Sequence, residues 1–191
     1  MSMKSMLCVL LSLACAVAAC GRANQSVVAP TPTAAPTPAP TPSGVVISTD
    51  AALFALVTQT EPFASYSLFP NADAINRGPS GHLPTDRVTL NAKAASALQN
   101  GKLPPGSRFP DGSVVFKEIL GSGGTTAILY SVIYKDAANP LAANGWLWAE
   151  FNPGGSVAFS INNRGVGCTS CHSLGQGPTN DFVRTFERQN R

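Results

Sequence analysis

Residues 113–136, SVVFKEILGSGGTTAILYSVIYKD, contain two runs of β-branched and aromatic residues on either side of a glycine-rich turn. Runs of this length and composition predict strands, and the GSGG at 121–124 predicts a chain reversal between them. The stretch therefore indicates an antiparallel hairpin and argues against a bundle of helices.

The neighbouring sequence extends this hairpin into a larger sheet. An alternating run, DRVTLN at 86–91, precedes it. A second pair of strand-like runs follows it, GWLWAEF at 145–151 and SVAFSIN at 156–162, joined by NPGG. The whole predicts an α+β fold, an antiparallel β-sheet with a few flanking helices and a separate C-terminal segment.

Two helices are predicted beside the sheet. The first covers residues 50–59, and its apolar side carries Leu53, Phe54 and Leu56. The second follows Asn91, whose side chain can cap it, and is expected to stop at Gly101.

The period-two pattern of SVVFKEIL places one charge among apolar neighbours on each face of the strand. Lys117 falls between Val115 and Ile119 on one face, and Glu118 falls on the other. Burial of an unpaired ammonium lowers its pKa and makes the amine a nucleophile, whereas a lysine at a sheet rim can extend its charge into water. Both interpretations of Lys117 are open at this point.

The first 43 residues predict export and a tether. Residues 1–19 carry one early positive charge, a long apolar run and small residues before Cys20, as a secretory signal does. VAAC at 17–20 resembles a bacterial lipobox, so Cys20 is predicted to be lipidated, although a simple signal peptide ending at a chance cysteine is the alternative. Residues 20–43 are rich in Pro, Thr and Ala and predict an extended tether.

This interpretation places the domain, residues 44–191, on the periplasmic side of a bacterial membrane. The lipid is its only predicted membrane contact, and glycine rather than aspartate after Cys20 favours the outer membrane. The domain carries 11 basic and 10 acidic residues without a charged run, so the sequence gives no support to nucleic-acid binding.

The chain beyond residue 20 is poor in metal-binding side chains, yet it concentrates them in one place. It contains no methionine, two histidines and two thiols, and Cys168-Thr-Ser-Cys171-His172 holds both thiols and one histidine. This CxxCH spacing attaches haem covalently through two cysteines, with the histidine as an axial iron ligand. A zinc site, a thioredoxin-like redox pair and a short structural disulfide are the alternatives.

The absent methionine limits what can occupy the other axial position of such a haem. Electron-transfer cytochromes fill it with methionine or a second histidine, and here the candidates are His82, a lysine such as Lys117, or no side chain. An open position would bind small molecules. Trp146 and Trp148, which share a face with Glu150, are predicted to be core aromatics, packed near the porphyrin in this interpretation.

The order of DRVTLNAKAASAL, FPDGSVVFKEI, ILYSVIYKDAANPLAANGWLWAEF and a late CTSCH resembles the cytochrome P-460 family, which includes the cytochromes c′-beta. The resemblance covers about residues 82–186. It implies an antiparallel sheet with flanking helices, a homodimer and one five-coordinate haem c, attached at Cys168 and Cys171 with His172 on the iron.

The resemblance also implies roles for two side chains. The lysine at the position of Lys117 is cross-linked to the porphyrin in P-460 enzymes, and Arg87 matches an arginine of the distal pocket. The family carboxylate that serves hydroxylamine oxidation has no counterpart in LYSVIYKD, which offers Tyr130, Ser131 and Tyr134 before Asp136.

Three functions follow as hypotheses. The first is an exported c-type mono-haem protein whose open site binds nitric oxide or a similar small ligand. The second is a hydroxylamine-oxidising haem oxidoreductase in which Lys117 is cross-linked to the haem and Arg87 lies in the distal pocket. The third is an electron-transfer lipoprotein that uses His82 opposite His172.

Overall fold

Six antiparallel strands form one sheet in which each strand lies beside its neighbour in sequence. The structure is a computed structural model that describes residues 46–76, 82 and 85–189. The strands are β1 (Ser67–Leu68), β2 (Thr85–Leu90), β3 (Val114–Leu120), β4 (Ala127–Lys135), β5 (Trp146–Phe151) and β6 (Val157–Phe159). The predicted α+β fold with an antiparallel sheet is confirmed.

Short helices surround the sheet. The α-helices are α1 (Asp50–Ala55), α2 (Ala92–Ser96) and α3 (Cys168–His172). A π-helical turn, Leu56–Thr60, continues α1, and 3₁₀ turns lie at Phe63–Ser65, Ile161–Asn163, Pro178–Asn180 and Arg184–Arg188. In the described ranges no helix is both long and apolar enough to span a membrane. The predicted signal peptide, Cys20 and the tether lie outside the described residues.

The two faces of the sheet carry two separate cores, and the residues of SVVFKEIL divide between the faces as the alternation predicted. Val114 and Phe116 pack with α1 and its π turn in one core. Val115 packs in the other core, together with Trp146 and Trp148. Both tryptophans are buried, as predicted, and the second core lies on the face from which Lys117 projects.

Both predicted flanking helices differ from expectation in their C-terminal halves. The α-helical geometry of α1 ends at Ala55, where the Thr58 hydroxyl donates to the Phe54 carbonyl and Glu61 N reaches back five residues to Leu56. The second helix, α2, ends at Ser96 and not near Gly101. There Gln99 and Lys102 pair across an Asn-Gly turn with positive φ at both turn residues, a geometry that favours a tight reversal over a helix.

Asn91 joins α2 to β3, and its loss is expected to be costly. Its Oδ1 accepts from Ala94 N at 2.9 Å and Val114 N at 3.0 Å, and its Nδ2 donates to Gly112 O at 2.9 Å. We expect Asn91→Ala to lower the free energy of unfolding by about 2 kcal/mol, the upper end for a lost helix cap, because buried backbone groups also lose partners.

Thr49→Ala is the matched control for that measurement in urea. Thr49 caps α1 through a single exposed bond from Ala52 N at 3.1 Å, so we expect a loss of about 0.5–1 kcal/mol. Equal losses in the two variants would contradict the bridging role assigned to Asn91.

Candidate functional site

The CTSCH motif forms the one-turn helix α3, so that Cys168, Cys171 and His172 lie within one turn of each other. Both cysteines are free thiols and partly buried. The chain enters this helix through Gly165, at φ +66°, where an added Cβ would lie 2.6 Å from Cδ1 of Trp148. A glycine is therefore needed to bring the motif this close to the second core.

His172 is held in one tautomer by the backbone that follows it. Its ring packs edge-on against Trp148, with centroids 4.8 Å apart, and its Nδ1 lies 2.7 Å from the carbonyl oxygen of Phe182. Because a carbonyl can only accept, Nδ1 carries the proton. Burial lowers the pKa of His172 to about 4, so the ring is neutral and its Nε2 has a lone pair suited to a metal.

A cavity brings His172 together with two of the predicted site residues. Its apolar walls come from Val115, Ile133 and Val183. Its polar lining comes from His82, Lys117, Ser131, His172, Arg184 and Thr185. Residues from the middle strands, the loop before β2 and the C-terminal segment thus converge beside the CTSCH helix.

Lys117 is buried and reaches this cavity from the centre of β3. The residue is 9% exposed, so its side chain does not extend from the sheet rim into water. Its Nζ lies 3.8 Å from Oδ2 of buried Asp86, whose two oxygens each accept from Arg188 at 3.0 Å. Burial, partly offset by Asp86, lowers the pKa of Lys117 to about 8, which makes the neutral, nucleophilic amine accessible near neutral pH.

His82 lies against a carboxylate that the sequence interpretation did not assign to the site. Its Nδ1 is 3.3 Å from Oε1 of Glu150 on β5. Burial, with Lys117 and His172 nearby, lowers the pKa of His82 to about 3, while burial raises the pKa of Glu150. The alternation in WLWAEF had already placed Glu150 on the face of the two tryptophans. That placement was the sequence feature that could have assigned Glu150 to the site.

The structure does not bring Arg87, to which the resemblance gave a place in the distal pocket, to this cavity. Arg87 pairs with Glu118 in the β2–β3 register, while Lys117 pairs with Val88. Its Nη1 donates to Glu118 Oε2 at 3.0 Å. Because neighbouring strand residues point to opposite faces, Arg87 and Lys117 lie on opposite sides of the sheet.

Arg184 is an arginine at the cavity that sequence reasoning missed. Its Nη1 lies 3.3 Å from both the carbonyl oxygen and the Sγ of Cys171, and its Nη2 lies 2.6 Å from Oε2 of Glu187. This guanidinium therefore links the CTSCH helix to the last turn of the described chain, a contact that follows from tertiary packing and has no local sequence signal.

The residues present fit covalent haem better than a zinc site or a redox-active thiol pair. Within residues 46–76, 82 and 85–189, no three His, Cys, Asp or Glu side chains form a metal-binding group, so the zinc alternative has no ligand set there. Burial raises the pKa of Cys168 to about 11, opposite to the lowered pKa of redox-active thiols. Two thiols and a neutral imidazole on one turn suit haem attachment.

A scan against protein-family models and a search of curated proteins both returned no match for this chain.

Proposed function

We propose that the protein is an exported c-type mono-haem protein whose iron binds small ligands such as nitric oxide. Cys168 and Cys171 would hold the haem, and His172 would be its axial ligand. One observation carries the proposal: the CTSCH motif forms a single turn in which His172, fixed as the Nδ1–H tautomer, faces the cavity that Lys117 also lines.

The side chains around the cavity have distinct uses in this proposal. When bound, the haem supplies an iron centre for a small ligand. Val115, Ile133 and Val183 form the apolar walls of the cavity. Ser131, which pairs with Lys117 in the β3–β4 register, can donate a hydrogen bond to a polar ligand, and the Lys117 ammonium can stabilise negative charge there.

Spectroscopy of the purified ferric protein tests this proposal. We expect a high-spin haem that stays attached after denaturation, and a reduced protein that binds carbon monoxide or nitric oxide in a one-to-one titration. A low-spin, six-coordinate iron that takes up neither ligand would contradict the open site.

A hydroxylamine-oxidising enzyme is the second candidate, favoured by the buried, low-pKa amine of Lys117. Glu150 supplies a carboxylate close enough to influence the pKa of Lys117, although it lies on β5 and not in the strand after the lysine strand. Peptide mapping by mass spectrometry should then find haem attached to Lys117 as well as to the two cysteines. Attachment through the cysteines alone, with no hydroxylamine turnover, would exclude this candidate.

A bis-histidine electron carrier is the third candidate, because His82 and His172 line the same cavity. A histidine that binds a metal through one ring nitrogen commonly has a carboxylate at its other ring nitrogen, as His82 has Glu150 at Nδ1. This candidate predicts a low-spin ferric spectrum that His82→Ala converts to high spin. A high-spin wild-type protein would exclude it.

The lipid anchor and the homodimer belong to the same proposal. We expect the exported protein to incorporate a labelled fatty acid and to partition into the membrane fraction, and Cys20→Ser to lose both properties. Light scattering of the detergent-solubilised protein measures its oligomeric state, for which we expect a dimer.

A further inference from the structure

We propose that Asp181 is a positioning residue for the axial histidine. Through an ion cluster with Lys135 and Arg108 it fixes the turn at Asp181 and Phe182. The Phe182 carbonyl accepts the hydrogen bond of His172, so that Asp181 sets the electronic character of the bound iron. The inference rests on the proposed function, since it assigns His172 to a haem.

The Asp181 carboxylate is 1% exposed and has partners on two other segments, the end of β4 and the loop at residues 108–109. Lys135 at the end of β4 lies 3.0 Å from its Oδ1 and 2.9 Å from its Oδ2. Arg108 donates to Oδ1 at 3.2 Å and Phe109 N donates to Oδ2 at 2.9 Å. Lys135 is itself 5% exposed, so both members of the central ion pair are removed from water.

The backbone of Asp181 is fixed by a second contact. Its carbonyl oxygen accepts from Trp146 Nε1 at 2.8 Å, and Lys135 Nζ lies 4.9 Å from the centre of the same tryptophan ring. Asp181 is thus connected through both its side chain and its main chain to the strands that carry the second core. A residue held in this way has little freedom to rotate.

This rigidity matters because the turn has a backbone shape that its residues do not favour. Asp181 has φ +51° and Phe182 has φ +66°, so two successive residues with side chains are in the left-handed region. Such conformations persist where surrounding contacts impose them. The ion cluster supplies those contacts at Asp181, and Phe182 then presents its carbonyl oxygen 2.7 Å from His172 Nδ1.

Gly177, which lies between the CTSCH helix and the turn, packs closely against the backbone of His172. An added Cβ at Gly177 would overlap the backbone carbonyl oxygen of His172. Phe182 N donates to Gly177 O at 2.6 Å, which closes the loop between the CTSCH helix and the turn. The loop therefore packs against the backbone of His172 at Gly177, and the ion cluster fixes the same loop at Asp181.

A hydrogen bond from Nδ1 to a carbonyl makes the other ring nitrogen a stronger donor to a metal. Stronger donation strengthens the iron–histidine bond and favours the ferric state over the ferrous state. Loss of the Asp181 anchor should let the Phe182 carbonyl move away, so that the iron–histidine bond weakens and the reduction potential rises.

Asp181→Ala and Asp181→Asn in the full-length haem protein test this inference. The readouts are the iron–histidine stretching frequency of the ferrous protein and its midpoint potential. We expect Asp181→Ala to shift the frequency downward and the potential upward. We expect Asp181→Asn to shift both less, because an amide oxygen can still accept from Phe109 N. If Asp181→Ala yields no folded protein, the direction of the shifts in Asp181→Asn decides.

Asp50→Asn is the matched control, because Asp50 is a carboxylate that fixes a different turn, Ile161–Asn163. Its two oxygens accept from Ser160 Oγ at 2.7 Å and Ile161 N at 2.8 Å. We expect it to lower thermal stability without moving either readout. Asp181 variants that lose stability but keep the wild-type frequency and potential would overturn the inference, whereas a wild-type protein without covalent haem would overturn the proposed function itself.

Discussion

Replacement of both Cys168 and Cys171 by alanine is expected to abolish covalent haem attachment completely. The two thiols are the only ones beyond Cys20 in the sequence, and they lie on the same turn as His172. No other side chain beyond residue 20 can form a thioether to a vinyl group. After export in a host that attaches haem c, the denatured wild-type protein should retain haem by in-gel staining and intact mass, and the double variant should retain none.

Ser170→Ala is the control for this experiment. Ser170 lies in the same helix and is exposed, with its hydroxyl bonded only to Gly167 O in the described contacts. We expect it to retain full haem content. Equal haem content in the wild type and the double cysteine variant would contradict attachment at this motif.

Asp86→Ala is expected to destabilise the protein by about 3–5 kcal/mol, the range for breaking a buried ion pair from one side. Asp86 is 1% exposed and lies between Arg188 at 3.0 Å and Lys117 at 3.8 Å. Its removal leaves two cations close together with little access to water. Urea unfolding, followed by tryptophan fluorescence, measures the loss.

A double-mutant cycle separates the contribution of Lys117. If Lys117 is a charged partner of Asp86, Asp86→Ala combined with Lys117→Met should be more stable than Asp86→Ala alone, because the second change removes the uncompensated ammonium. Purely additive losses would contradict this coupling.

The pair on the opposite face of the same strands provides the matched control. Arg87 and Glu118 also form a cross-strand ion pair at 3.0 Å, but the Arg87 side chain is 36% exposed. We expect Arg87→Ala to cost less than about 1 kcal/mol, because water already screens the pair. A loss as large as that of Asp86→Ala would contradict the difference in burial between the two faces.

The sheet could be predicted because its information is local. Alternation in SVVFKEIL and in the runs around it determines which residues face each core, and glycine-rich turns mark where the strands reverse. The helix ends could not be predicted equally well. The end of α1 depends on the Thr58 hydroxyl bonding to Phe54, and the end of α2 depends on the turn between Gln99 and Lys102.

The residues of the candidate site also differ in whether local sequence identifies them. CTSCH is a contiguous motif, and Lys117 was identifiable as a charge within an apolar strand. The register places Val88, and not Arg87, beside Lys117, and the resemblance did not specify this register. Asp181 contacts Lys135, 46 residues away, and Arg184 contacts Cys171, 13 residues away, so no short window of sequence reveals either contact.

The spin state and ligation of the iron in the full-length ferric protein test the central claim most directly. Optical and electron paramagnetic resonance spectra of the exported protein should show a covalently attached, high-spin haem with one histidine ligand. A colourless protein with unmodified Cys168 and Cys171, or a low-spin iron with two protein ligands, would contradict it.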